Sequence, residues 1–112
     1  MSSNRKRWKR AEREIADLLP DGGGVRVPVT GRGRGDAPDI RHPWLSVEVK
    51  NKETLPLWLH GAMHQAKASA TDGQLPIAVL HEVGTPYARS LVVVELGTFT
   101  EWFGSEAESS DA

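Results

Sequence analysis

Pro38-Asp39-Ile40 is followed, one short turn later, by Val47-Glu48-Val49-Lys50. Asp39, Glu48 and Lys50 are the residues of this chain whose types and spacing best suit chemistry. Two carboxylates beside an ammonium, set in an apolar strand pattern, form a costly cluster unless something uses the charge. A hard divalent ion such as Mg²⁺ binds carboxylate oxygens and keeps several waters. Such an ion polarises a phosphoryl oxygen and lowers the pKa of bound water. Lys50 can orient that water or offset charge building on the phosphate. The bland alternative is an amphipathic strand with a solvated Glu/Lys face. The preceding Pro-Asp and the apolar neighbours argue against it.

A third carboxylate is available from the N-terminal segment. On a helical wheel Glu12 lies four residues after Trp8 and three before Ile15. That places it within the margin of the apolar stripe, whereas Glu14 projects farther away. Glu12 is therefore the residue aimed toward a sheet; the alternative is a flanking Glu paired with Arg13 or a nearby Lys. Gln65 shares a predicted helix with Ala62, Ala66 and Ser69. Those small neighbours allow its amide to approach the sheet and hold a water or a phosphate. His60 and His64 stand at i, i+4, a spacing that can share a metal. No Glu-rich third ligand lies nearby in sequence, so they read as surface or partly packed histidines.

The basic residues suggest what is delivered to such a site. Arg5, Lys6, Arg7, Lys9 and Arg10 surround Trp8, and basic residues around an aromatic suit a nucleic-acid backbone. Arg32 and Arg34, spaced by glycines, can bring guanidinium groups and bare N–H groups to phosphates. Thr30 precedes them, and Lys52 follows the Glu-x-Lys strand. Arg34-Gly35-Asp36 also spells an integrin-type tripeptide, which without a secretion signal reads as chance. Trp44, Trp58, Trp102, Phe99 and Phe103 read as core and rim packing.

These side chains need a scaffold. A helix is predicted from about Trp8 to Leu19, with Trp8, Ala11, Ile15, Leu18 and Leu19 as its apolar stripe. Residues 1 to 7 are expected to fray, and Pro20-Asp21-Gly22-Gly23-Gly24 stops the helix. Val25 to Val29 is a short strand, and residues 31 to 35 form a glycine-rich loop. Asp39 to Arg41 and Trp44 to Lys50 are strands around a turn at His42-Pro43. In the second, Leu45, Val47 and Val49 point one way and Ser46, Glu48 and Lys50 the other. Pro56 opens a helix from about Leu57 to Ala70. Leu75 to His81 and Leu91 to Leu96 are two further strands, apolar enough to be central, and Thr98 to Phe103 is a last short helix. The order α-β-β-β-α-β-β-α predicts an α/β fold with a central mixed sheet flanked by helices.

The chain has 112 residues, 38% hydrophobic and 26% charged, which suits one globular domain over residues 1 to 103. Residues 104 to 112 read as an acidic, disordered tail. The absence of Cys excludes a disulfide framework and thiolate metal sites, and fits an intracellular, cytoplasmic setting. No apolar run approaches the roughly 18 residues of a membrane span. Net charge is −1, yet residues 1 to 34 hold nine Lys/Arg against four Asp/Glu. The N-terminal third can therefore meet a polyanion.

Ala11-Glu12-Arg13-Glu14-Ile15, then Pro38-Asp39, then Glu48-Val49-Lys50, then Gln65-Ala66 together resemble the PD-(D/E)xK nuclease superfamily. Within it they look most like archaeal-type Holliday-junction resolvases. The resemblance covers about residues 8 to 95 and lies in the order and spacing of short motifs. It implies a restriction-endonuclease-like core, α-β-β-β-α-β. It also implies Mg²⁺ or Mn²⁺ held by Asp39, Glu48 and the Val49 carbonyl, with Glu12 completing the site directly or through water. Lys50 would position the attacking water, and Gln65 matches a polar position on the following helix. Thr30, Arg32 and Arg34 fall where the resolvases touch DNA. The glycine-rich loop there and a second acid, Asp36, depart from the pattern. The implied activity is metal-dependent DNA hydrolysis, most simply of branched DNA by a homodimer. Three rival readings are a flap, fork or nicking nuclease of phage or repair type, acting in a bacterial host, an inactive DNA-binding module, and a small structural or interaction protein.

Overall fold

The computed structural model describes residues 2–28 and 38–104, the side chains from Lys6 onward. Thr30, Arg32, Arg34 and Asp36 of the glycine-rich segment lie outside the described residues, as do residues 105–112 of the acidic tail. The elements run α1 (Ser2–Leu18), β1 (Val25–Arg26), β2 (Ile40–Arg41), β3 (Ser46–Val47), α2 (Leu57–Ser69), β4 (Ala78–Leu80), a 3₁₀ turn (Tyr87–Arg89), β5 (Leu91–Val93) and α3 (Leu96–Phe103). The protein is a small mixed α/β structure with three helices and two antiparallel sheets among the described residues. Two compact units divide it, one of residues 1–52 with 103–112 and one of residues 53–102.

In the first unit α1 starts at Ser2 rather than at Trp8. Residues 2–18 contain no Gly or Pro and are rich in Arg, Lys, Ala and Glu, all favourable in a helix. Of the predicted stripe Leu19 is buried, Trp8, Ala11 and Ile15 are half-buried and Leu18 is exposed, while Glu12 and Ala16 are buried. Termination is as Pro20 and the glycines require. Asp21, Gly22 and Gly23 all adopt positive φ, and the Gly24 N–H donates to the Ala16 carbonyl at 2.7 Å, satisfying a last-turn acceptor. Gly24 is also where α1's exit meets the sheet. A Cβ there would sit 2.5 Å from Ile40 Cγ2 and 2.7 Å from the Arg41 carbonyl oxygen.

The strands β1, β2 and β3 pair in that order, all antiparallel, with Val25 opposite Arg41 and Ile40 opposite Val47. Ile40, fully buried at the centre, packs with Val27, Val49, Ala16 and Leu19 as the core of this unit. The alternation along residues 45–50 is the predicted one: Val49 is buried, and Ser46, Glu48 and Lys50 are exposed.

In the second unit Pro56 precedes α2 as predicted, and its fixed φ of −57° suits a helix entry. Ala70 ends the helix in extended backbone, and Thr71–Gln74 forms the following turn. β4 and β5 pair antiparallel, with Val79 opposite Val92. The single central mixed sheet that the strand order predicted is not formed among the described residues, which fall into two antiparallel sheets. The link from β4 to β5, residues 81–90, is a chain of turns that folds straight back, as antiparallel pairing allows. Val79, Leu91 and Val92 are exposed, so this pair is not a buried central one. Met63 of α2 and Ala78 of β4 are the buried apolar residues of this unit among the described residues. Lys67 of α2 meets Glu95, just before α3, at 3.1 Å. Of the aromatic residues read as packing, Trp44, Trp58, Trp102 and Phe103 are all exposed. No helix of the described residues is long and apolar enough to cross a membrane.

Candidate functional site

Asp39 is buried and straddles Glu48. Its backbone N–H donates to the Val47 carbonyl at 3.0 Å, and its carboxylate Oδ2 accepts the Val49 N–H at 2.6 Å. The side chain has thus taken a donor that a strand ladder would otherwise use. For that reason β3 ends at Val47 instead of running to Lys50. The consequence is positional: the Asp39 carboxylate is fixed against the backbone of the segment that carries Glu48. The Asp39 carbonyl accepts the N–H of Val27, the residue after β1, at 2.9 Å, which holds it from the other side.

Glu48 and Lys50 project from the face opposite Val49. Lys50 Nζ lies 3.6 Å from Glu48 Oε2, and both side chains are open to solvent, 63% for Glu48 and 74% for Lys50. A pair so exposed adds little stability. It does present a carboxylate and an ammonium together at a surface that a large substrate can reach.

Glu12 is fully buried, and Glu14 is exposed and near Arg10, at 3.8 Å. Glu12 is thus the helix acid that faces inward, as its place on the helical wheel predicts. Its partner is one the sequence reading did not single out. Arg26 Nε donates to Glu12 Oε1 at 2.6 Å, with the Arg26 side chain only 13% exposed. The signal for Arg26 was present as the sole basic residue in the Val25–Val29 run, but a two-residue strand has no alternation to reveal its face. Among the described residues no three acidic or histidine side chains converge to hold a metal. The oxygen donors brought to one segment are the Asp39 carboxylate, Glu48 and the Val49 carbonyl.

A second set of contacts pins the β2–β3 turn to the end of α1. His42 Nε2–H donates to the Pro20 carbonyl at 2.7 Å. Trp44 N–H donates to His42 Nδ1 at 3.3 Å, which requires the neutral, Nε2-protonated ring. Trp44 Nε1–H donates to Asp21 Oδ2 at 2.6 Å. The hairpin carrying Asp39 and Glu48 is thereby tied to the helix carrying Glu12.

Lys6, Arg7 and Arg10 are exposed on α1 and Lys9 is half-buried, while Lys52 is exposed after the Glu48–Lys50 segment. Gln65 is exposed on α2, an element of the second unit, and Met63 is the buried residue of that helix. His60 and His64 are exposed on the same helix. Comparison of the chain with protein-family models, curated proteins and solved structures found no match.

Proposed function

We propose that the protein is a metal-dependent DNA endonuclease of the PD-(D/E)xK kind, acting on branched DNA. The observation that carries this reading is Asp39 straddling Glu48, with its carboxylate anchored on the Val49 N–H and Lys50 beside Glu48. Two carboxylates and a main-chain carbonyl are hard oxygen donors without a thiolate, a set that suits Mg²⁺ or Mn²⁺ completed by water and phosphate oxygens. Asp39, Glu48 and the Val49 carbonyl would hold the ion, which when bound supplies Lewis-acid activation of the phosphate.

The chain's own residues do the rest. Lys50 orients a water in line with the scissile phosphorus and offsets charge on the phosphoryl oxygens. The water gives up a proton to solvent as the new P–O bond forms and the bond to the 3′ oxygen breaks, leaving a 5′-phosphate and a 3′-hydroxyl that takes its proton from solvent. Glu12 acts from beneath, through Arg26, by fixing α1 against the sheet that carries Asp39. Lys6, Arg7 and Arg10, exposed on α1, would face the DNA backbone. A homodimer would allow two symmetric nicks.

The test is incubation with labelled four-way junction, flap and linear duplex DNA, each with Mg²⁺ and with a chelator. Metal-dependent cleavage that favours the junction, and that Lys50→Ala abolishes, is the expected result. Preference for the flap would select the flap or fork nuclease instead. Salt-sensitive binding without product would leave only a DNA-binding module.

A further inference from the structure

The connection between β4 and β5 builds a ring surface that the proposed chemistry does not use. His81 Nε2–H donates to the Thr85 carbonyl at 2.9 Å, which fixes the imidazole plane. Thr85 in turn is held by its N–H and hydroxyl, both donating to the Glu82 carbonyl at 3.1 and 2.8 Å. Gly84 supplies the positive φ, 93°, that this tight loop needs. The 3₁₀ turn then brings Tyr87 onto His81 with ring centroids 4.3 Å apart and planes 25° from parallel. Tyr87 remains 82% exposed. The result is a preformed stack that presents an aromatic ring to solvent.

Beside the stack lies a cavity of about 320 Å³ lined by Leu80, His81, Glu82, Thr85, Arg89 and Leu91. Its volume is at the small end of the ~300–1,000 Å³ of ligand sites. Leu80 and Leu91 are a cross-strand pair and give it an apolar floor. Arg89 gives it a cation, and Glu82 a carboxylate.

We propose that Tyr87, His81 and this cavity form a stacking site for an unpaired nucleobase of the substrate strand. The inference rests on the DNA-acting reading and narrows its substrate to DNA with unpaired nucleotides. Flat rings stack on exposed aromatic side chains whatever their base identity. Paired bases within a duplex are already stacked, so the site selects single strands. Arg89 can stack on a base or meet a phosphate. Glu82 repels phosphate but accepts a hydrogen bond from an exocyclic amino group, as carboxylates do from cytosine. The base edge therefore faces Glu82, and the strand backbone runs on the Arg89 side.

The experiment is fluorescence anisotropy of the full chain in chelator, so that nothing is cut. The probes are a labelled oligodeoxycytidine of about 12 nucleotides, within single-strand site sizes, and a duplex of equal length. Tyr87→Ala should weaken single-strand binding roughly tenfold and leave duplex binding unchanged, while Tyr87→Phe keeps wild-type affinity. Equal loss on both probes, no loss on either, or the same loss in Tyr87→Phe would overturn the site. So would a Tyr87-dependent doubling of mass in solution with DNA binding unaltered, which would make the stack a contact between copies. Circular dichroism checks that the variants fold. Cleavage by wild type with Mg²⁺ separates the two proposals. An active nuclease indifferent to Tyr87→Ala overturns the stacking site alone. Tyr87-dependent binding without cleavage overturns the nuclease alone, and wild type that binds no DNA overturns both.

Discussion

Arg26 Nε meets Glu12 Oε1 at 2.6 Å, a charge pair closed over between the first helix and the first strand. Burying a carboxylate is expensive, and a cation hydrogen-bonded at this distance is the usual way to offset it. The pair therefore sets which face of α1 lies on the sheet. Removing one partner should be much worse than weakening the bond. Arg26→Met is expected to destabilise the fold by about 3 kcal/mol in urea unfolding. Glu12→Gln, which still offers an amide oxygen to Arg26, should lose less. Equal, small losses in both variants would show that the pair does not hold the helix.

Asp39 has two separable duties, and two substitutions distinguish them. Asp39→Asn keeps an oxygen for the Val49 N–H and removes the charge. It should unfold near the wild-type midpoint, yet lose Mg²⁺-dependent DNA cleavage by at least about 100-fold if the carboxylate serves the proposed chemistry. Asp39→Ala also leaves the buried Val49 N–H without this acceptor, which adds about 1–3 kcal/mol of instability. Cleavage that survives in Asp39→Asn would remove this residue from the site.

Glu48 and Lys50 should show the opposite separation from Glu12 and Arg26. Their 3.6 Å contact is exposed on both sides, so Glu48→Ala and Lys50→Ala are expected to change stability by no more than about 0.5 kcal/mol. Each should nevertheless abolish cleavage of the junction substrate. Well-folded variants that still cut DNA would show an ordinary solvated strand face.

Glu12's inward aim was readable because a 3.6-residue period leaves few choices once Trp8, Ile15 and Leu19 are known to be apolar. The in–out alternation of residues 45–50 was readable for the same kind of reason, with a period of two. Arg26 was not, because β1 is too short for a pattern. The early end of β3 was hidden as well, since Asp39 captures the Val49 N–H from a residue ten positions away. No local propensity records such a contact. The expected central sheet failed at Leu91 and Val92, whose apolar character looked like burial but belongs to exposed residues of a two-stranded pair. The Tyr87–His81 stack was equally silent in sequence, because it depends on the turn chain between β4 and β5.

Two glycines make opposite predictions, and together they test the packing of each unit. At Gly24 an added methyl would meet Ile40 Cγ2 at 2.5 Å and the Arg41 carbonyl at 2.7 Å, with Leu19 Cδ1 at 3.1 Å. The Arg41 oxygen is strand backbone and cannot move without loosening the β1–β2 pairing. Gly24→Ala should therefore destabilise by about 1–3 kcal/mol, as overpacking does. At Gly61, inside α2, nothing lies within 4 Å of an added Cβ. There the methyl only removes the conformational freedom that glycine loses on folding. Gly61→Ala should stabilise by about 0.5–1 kcal/mol. Thermal unfolding of the two variants against wild type should move in opposite directions. A neutral Gly24→Ala would mean that the exit of α1 does not press on β2, leaving the Arg26–Glu12 and His42–Pro20 bonds to join the helix bearing Glu12 to the sheet.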